Sequence, residues 1–131
     1  MNAKTRLLIC DDHPLVRAGI KVTLSQEPTI EIVAEASNGR EAVAETKRVR
    51  PEMVLMDMAM PELNGLQAAR QMRQVAPQSE IVFLSQHRAS DIINEALAIG
   101  ARGYVCKSHI ASDLVDAVRA AGQHETSLAV G

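Results

Sequence analysis

Five short apolar runs, separated by stretches of helical character, restrict the fold of this chain more than any other feature. The runs are R-L-L-I-C (6–10), I-E-I-V-A-E-A (30–36), M-V-L-M (53–56), I-V-F-L (81–84) and G-Y-V-C (103–106). The first, third and fourth are almost continuously hydrophobic, as strands covered on both faces must be. The second alternates: Glu31 and Glu35 fall out of step with Ile30, Ile32 and Ala34, which predicts an edge strand with one wet face.

The intervals carry helix punctuation. Pro14 suits the first turn of a helix running to about Ser25, with Leu15, Val16, Ile20 and Leu24 on one side. Asn38, with Glu41 three residues on, opens a second helix in the manner of a capping box, and Pro51 blocks it beyond Val49. Asn64 and Gly65 open a third, which must end before Pro77. Ser90 is read as the cap of a fourth, ended by Gly100, and Ser112 as the cap of a fifth, ended by Gly122. Strand then helix, repeated through the chain, predicts an α/β fold: a doubly wound, five-stranded parallel sheet with helices on both faces. Residues 1–122 form the predicted domain, and 123–131, which lack periodicity, form a frayed tail or the start of a linker.

A length of 131 residues suits one domain. With one Phe, one Tyr and no Trp, its core must be built from aliphatic side chains and methionine. Met53 and Met56 read as core fillers, Met58 and Met60 as loop residues packing at the rim. The net charge of −2 excludes a basic nucleic-acid footprint over the whole chain. No apolar run approaches the length of a membrane span, and M-N-A-K-T-R lacks a signal-peptide core, so a cytoplasmic protein is expected. Cys10 and Cys106 have no C-x-x-C neighbour and read as small buried hydrophobes. His13, His87, His109 and His124 are scattered and do not suggest a metal cluster.

The residues at the carboxyl ends of the strands are more telling. Asp11 and Asp12 come after Cys10, Asp57 after Met56, Ser85 after Leu84 and Lys107 after Cys106. In a parallel sheet all carboxyl ends share one edge, and ligands of open α/β sheets bind there. Any one of these residues could be a helix cap or a solvated turn residue; together they form a site. Carboxylates gathered within a few ångströms repel by roughly 3 kcal/mol per pair at an effective dielectric of 20. A hard divalent cation relieves that repulsion, and oxygen-only ligands with open positions suit Mg²⁺. Three carboxylates, one ammonium and Mg²⁺ sum to zero, leaving the site ready for an anionic phosphoryl group. The chain has no G-K-[ST] motif, so P-loop nucleotide binding is not indicated.

The stretches L-L-I-C-D-D-H-P (7–14), M-V-L-M-D-M-A-M-P (53–61) with Gly65 beyond it, I-V-F-L-S (81–85) and G-A-R-G-Y-V-C-K (100–107) resemble the receiver domain of a bacterial two-component response regulator. The resemblance runs from residue 5 to about 121, and its details are most similar to the LuxR-type (NarL/FixJ) subgroup. It implies a flavodoxin-like (βα)5 fold with strand order 2-1-3-4-5. That order sets Cys10 and Cys106 about 14 Å apart, beyond disulfide reach. It implies Asp57 as phosphoacceptor, taking its phosphoryl group from a sensor histidine kinase. Asp11, Asp12, Asp57 and the backbone carbonyl of Ala59 are the implied Mg²⁺ ligands, with Asp12 in direct contact. Ser85 and Lys107 are implied to contact the phosphoryl group, and Ser85 and Tyr104 to act as the switch. Phosphorylation would draw Ser85 inward, admit Tyr104 from a more exposed rotamer, and reshape the face made by the fourth helix, fifth strand and fifth helix.

The implied output is transcription, through an effector domain that alone would contact DNA. The residues after the fifth helix are too few for a LuxR-type domain, so the chain is expected to be either a truncated receiver or a stand-alone one. A homodimer is expected through the fourth helix, fifth strand and fifth helix, or through the first and fifth helices. No membrane partner is expected. His87, two residues after Ser85, is expected beside the approach of water to the acyl phosphate. Lys107 is succeeded by Ser108 where many receivers carry proline. Two rival classes share some features. A haloacid dehalogenase-type phosphatase also uses Asp, Mg²⁺, Ser or Thr and Lys, but its nucleophile ends the first strand in a D-x-D pattern. A receiver-like binding module that works without phosphate would not need this charge cluster. The receiver itself is expected to assist only its own phosphorylation and dephosphorylation.

Overall fold

The computed structural model describes residues 4–86 and 90–128. In chain order it contains β1 (Thr5–Cys10), α1 (Pro14–Leu24), β2 (Ile30–Ala36), α2 (Gly39–Val49), β3 (Met53–Asp57), α3 (Gly65–Val75), β4 (Glu80–Ser85), α4 (Ser90–Ala98), β5 (Gly103–Cys106), α5 (Ile110–Gly122) and β6 (Ser127–Leu128). A 3₁₀ turn, Lys107–His109, joins β5 to α5. The strands pair in parallel, in the order β2-β1-β3-β4-β5-β6. The predicted order 2-1-3-4-5 is therefore present. Ser127 and Leu128 extend it by pairing with Gly103 and Tyr104, although nothing periodic in their sequence marks a strand.

Alternation along the strands divides the core in two. Leu7 and Ile9 of β1, with Met53 and Leu55 of β3, pack against Ile20 and Leu24 of α1 and Leu114 and Val118 of α5. Leu8, Cys10, Val54 and Met56 face the other way, toward Ala42 of α2, Ala68 and Met72 of α3, and Ala96 of α4. Both faces of the central strands are thus covered, which is why their sequences read as unbroken apolar runs. Met60 packs into the second cluster and partly buried Met58 lies against it. β2 is an edge strand with Glu31 and Glu35 pointing away from the core, and its pairing with β1 shifts by one residue between Leu7 and Leu8, as edge strands commonly do.

The helix boundaries show which local signals act. Asn38 Oδ1 accepts the Glu41 N–H at 2.8 Å, but the Glu41 carboxylate turns to the backbone and hydroxyl of Ser37 rather than back to Asn38. These hydrogen bonds, the backbone one first, hold the Glu41 carboxyl below its usual range. The reciprocal capping box occurs instead at α3, between Asn64 and Gln67. α5 starts two residues before the expected Ser112 cap. The 3₁₀ turn Lys107–His109 runs directly into α5, with His109 at its boundary, and the Ser112 hydroxyl donates to the His109 carbonyl from within the first turn.

One close approach fixes the loop after β3. A Cβ on Gly65 would lie 2.2 Å from the Asp57 carbonyl oxygen. Only glycine lets the start of α3 pack this tightly behind the end of β3, where the Gly65 N–H donates to the Met58 carbonyl.

Candidate functional site

Asp57 is the last residue of β3 and is 1% exposed. Its neighbours across the sheet are β1, whose next residue is Asp11, and β4, which ends in Ser85. Lys107 enters from the residue after β5. The Lys107 ammonium lies 2.9 Å from Asp11 Oδ2 and 2.9 Å from Asp57 Oδ2, and its side chain is only 9% exposed. Burial pulls this ammonium's pKa down, but the two carboxylates outweigh burial and hold it above the ordinary lysine value.

The remaining oxygens are held by backbone. Asp57 Oδ1 accepts the Ala59 N–H at 3.0 Å and Asp11 Oδ1 accepts the His13 N–H at 2.8 Å. Arg17 donates to the Asp11 carbonyl and reaches Glu35 at 3.2 Å, tying α1 to both β1 and β2. Asp12, Asp57, Ala59, Ser85 and Lys107 line one cavity of about 470 Å³. The residues expected at the strand ends are therefore together, although they come from four separate strands of the sheet.

Two aspects were not legible in the sequence. His13, grouped there with scattered histidines, has its ring in the cluster: Nδ1 lies 3.2 Å from Asp11 Oδ1 and 3.0 Å from Asp12 Oδ1. Its adjacency to the two aspartates was the available signal. Tyr104 was expected to wait in a more exposed rotamer, yet it is 1% exposed and belongs to the cluster containing Phe83, Ala96 and Ala101. The ring is therefore held inward, in a cluster that also includes the small side chains Ala96 and Ala101. His87 lies outside the described residues.

The donor set can be tested for a divalent cation. One ligand atom from each of Asp11, Asp12, His13 and Asp57 can be chosen so that all lie within 4.8 Å of one another. Asp11 Oδ2, Asp12 Oδ1 and Asp57 Oδ2 are buried and accept no hydrogen bond of good geometry. Their close neighbours are the Lys107 ammonium and the His13 ring. Three carboxylates against one ammonium leave the cluster two charges negative with His13 neutral. Three clustered carboxylates that share one ammonium, with a deficit of two charges, fit a divalent ion such as Mg²⁺.

Residues 7–119 match the model of the response regulator receiver domain. The chain belongs to that family. This receiver is 37% identical over 120 residues to the transcriptional regulatory protein DegU of Brevibacillus brevis, covering 92% of this chain and 51% of DegU. It is 34% identical over 121 residues to the response regulator protein VraR of Staphylococcus aureus, covering 92% of this chain and 58% of VraR. The receiver thus spans little more than half the length of these relatives. Among solved structures it superposes on a two-component response regulator of the LuxR family from Aurantimonas sp. with a TM-score of 0.89 at 32% identity, covering 95% of this chain and 89% of that one. A receiver domain is not an enzyme beyond its own phosphorylation and dephosphorylation. Among the described residues, no helix is long and apolar enough to cross a membrane. Cys10 and Cys106 are buried thiols at the ends of β1 and β5, outside any disulfide. Burial, with Asp11 adjacent, pushes the Cys10 thiol far above the usual range, so it stays protonated and inert.

Proposed function

We propose that this receiver is a phosphorylation-dependent switch. In this reading Asp57 takes a phosphoryl group from the phosphohistidine of a sensor kinase. A carboxylate oxygen of Asp57 bonds to phosphorus as the P–N bond breaks, and the departing imidazole nitrogen takes up a proton. The observation that carries the proposal is Lys107, held 2.9 Å from both Asp11 and Asp57 on the wall of a cavity able to receive the group. Asp11, Asp12, Asp57 and the Ala59 carbonyl would hold Mg²⁺. When bound, that ion supplies the positive charge that lets buried carboxylates and an anionic phosphoryl group share one site.

The chain's own groups do the rest. The Ala59 N–H fixes one oxygen of Asp57, which orients the carboxylate without consuming its charge. Lys107 is aimed at the other oxygen and can track the charge onto the phosphoryl group, which carries about two negative charges where Asp57 carried one. Ser85, on the wall of the same cavity, can donate to a phosphoryl oxygen. Its movement, with Tyr104 beneath α4, would bias the face formed by α4, β5 and α5. With the relatives named above as transcriptional and response regulators, the output of this face is transcription through an effector domain, with α4-β5-α5 or α1 and α5 pairing between copies. Residues 1–122 would be the phosphoacceptor domain and 123–131 a tail or the start of a linker, of which Ser127 and Leu128 lie along β5, in a protein of the cytoplasm.

Incubation with radiolabelled acetyl phosphate and Mg²⁺ tests this directly. Wild type should take up at most one equivalent of acid-stable, base-labile phosphate, and Asp57→Asn none. Persistent uptake in Asp57→Asn, or multiple turnover of a phosphomonoester, would refute the assignment.

A further inference from the structure

The His13 ring is a component of the acidic cluster for which the phosphoryl chemistry has no use. It is placed by backbone rather than by chance. The His13 N–H donates to Asp11 Oδ1 at 2.8 Å, and Pro14 fixes the start of α1 immediately after it. Nδ1 then faces two carboxylate oxygens, at 3.2 and 3.0 Å. A single Nδ1 proton can serve only one of them well.

The same two spacings are edges of a coordination shell. Octahedral ligands about 2.1 Å from a metal lie about 3.0 Å from one another, and tetrahedral ligands at about 2.0 Å lie about 3.3 Å apart. A second observation points the same way: one ligand atom from each of Asp11, Asp12, His13 and Asp57 can be chosen so that all lie within 4.8 Å of one another, and the Lys107 ammonium answers only one of the three carboxylate charges. Mg²⁺ needs none of this from an imidazole, because it favours oxygen and completes its shell with water. First-row transition-metal ions do gain from it.

We infer that His13 is a metal ligand through Nδ1, and that this centre binds a transition-metal ion of the Zn²⁺ class in a nitrogen–oxygen set that competes with Mg²⁺ in an all-oxygen set. The inference rests on the proposed cation-binding role of Asp11 and Asp12. It makes His13 the residue that decides which cation the site prefers.

Calorimetric titration of the full chain with MgCl₂ and with ZnCl₂ tests it, in wild type, His13→Ala and His13→Asn. Both variants should lose at least tenfold in Zn²⁺ affinity and less than twofold in Mg²⁺ affinity, and Zn²⁺ should exclude Mg²⁺ one for one in wild type. With CuCl₂ as probe, the electron paramagnetic resonance spectrum should show nitrogen coupling that His13→Ala removes. Far-UV circular dichroism confirms that the variants are folded, as an exposed ring permits. Zn²⁺ affinity unchanged in both variants, or nitrogen coupling that survives in His13→Ala, would overturn the inference while intact Mg²⁺ binding leaves the phosphorylation reading standing. Failure of wild type to bind Mg²⁺ at all would overturn both.

Discussion

Replacing Lys107 by methionine, of similar length but without charge, isolates what the ammonium contributes. Each 2.9 Å contact, to Asp11 and to Asp57, has a gross Coulomb energy of about 6 kcal/mol at an effective dielectric of 20. Desolvation of the buried ammonium cancels much of that sum. Breaking a buried pair by removing one partner typically costs about 3–5 kcal/mol, because the abandoned charge stays buried. Here two carboxylates are abandoned together, so the lower figure is a floor for Lys107→Met in the absence of metal. With a urea dependence of about 2 kcal/mol per molar, a loss of about 3 kcal/mol moves the unfolding midpoint down by about 1.5 M.

The assay is urea unfolding of both proteins in EDTA and again in saturating Mg²⁺. The deficit should be large in EDTA and shrink with Mg²⁺, since the cation supplies the charge that the variant lacks. The sign with pH is also fixed. The Lys107 pKa is raised above the ordinary value of 10.5, so its stabilisation is complete at neutral pH. It fades only as pH rises through that raised value, and the two proteins should converge there. An unchanged midpoint in EDTA, or a deficit indifferent to Mg²⁺, would refute the reading of Lys107 as the counter-charge of a cation site.

The packing around the site and at the opposite edge sets two further outcomes. Gly65→Ala places a Cβ 2.2 Å from the Asp57 carbonyl oxygen; thermal unfolding should show a loss of about 1–3 kcal/mol, and acetyl phosphate labelling should slow because the acceptor's own backbone must move. Arg73 gathers the carbonyls of Ile99, Pro77, Ser79 and Gly100 at the far end of the sheet. Arg73→Lys cannot reproduce that fork and should cost about 2 kcal/mol in urea unfolding, with the yield of labelling unchanged.

Much of the site was legible because its logic is one-dimensional. Asp11, Asp12, Asp57, Ser85 and Lys107 each stand just past an apolar run, and a parallel sheet carries such positions to a common edge whatever the side chains in between. Helix ends were legible where capping was local, as at Asn64. They were misread at Ser112, where the 3₁₀ turn after β5 starts the helix early. The burial of Tyr104 was not legible for a different reason. Whether a ring lies in or out depends on the volume left by residues from other elements, among them Ala96 and Ala101, and no local pattern reports that volume.

The order of elements from β1 to α5, the two-sided burial of the central strands and the chemical types at their ends were determined by the sequence alone, since each depends on periodicity and on short-range backbone preference. The tertiary structure alone decided that one ammonium touches two carboxylates, that the His13 ring joins the same cluster, and that Gly65 lies against the Asp57 carbonyl. Those are through-space distances of a few ångströms between side chains and backbone from separate strands and helices. They are set by sheet twist, rotamer choice and packing, which come into being only when the whole chain has folded.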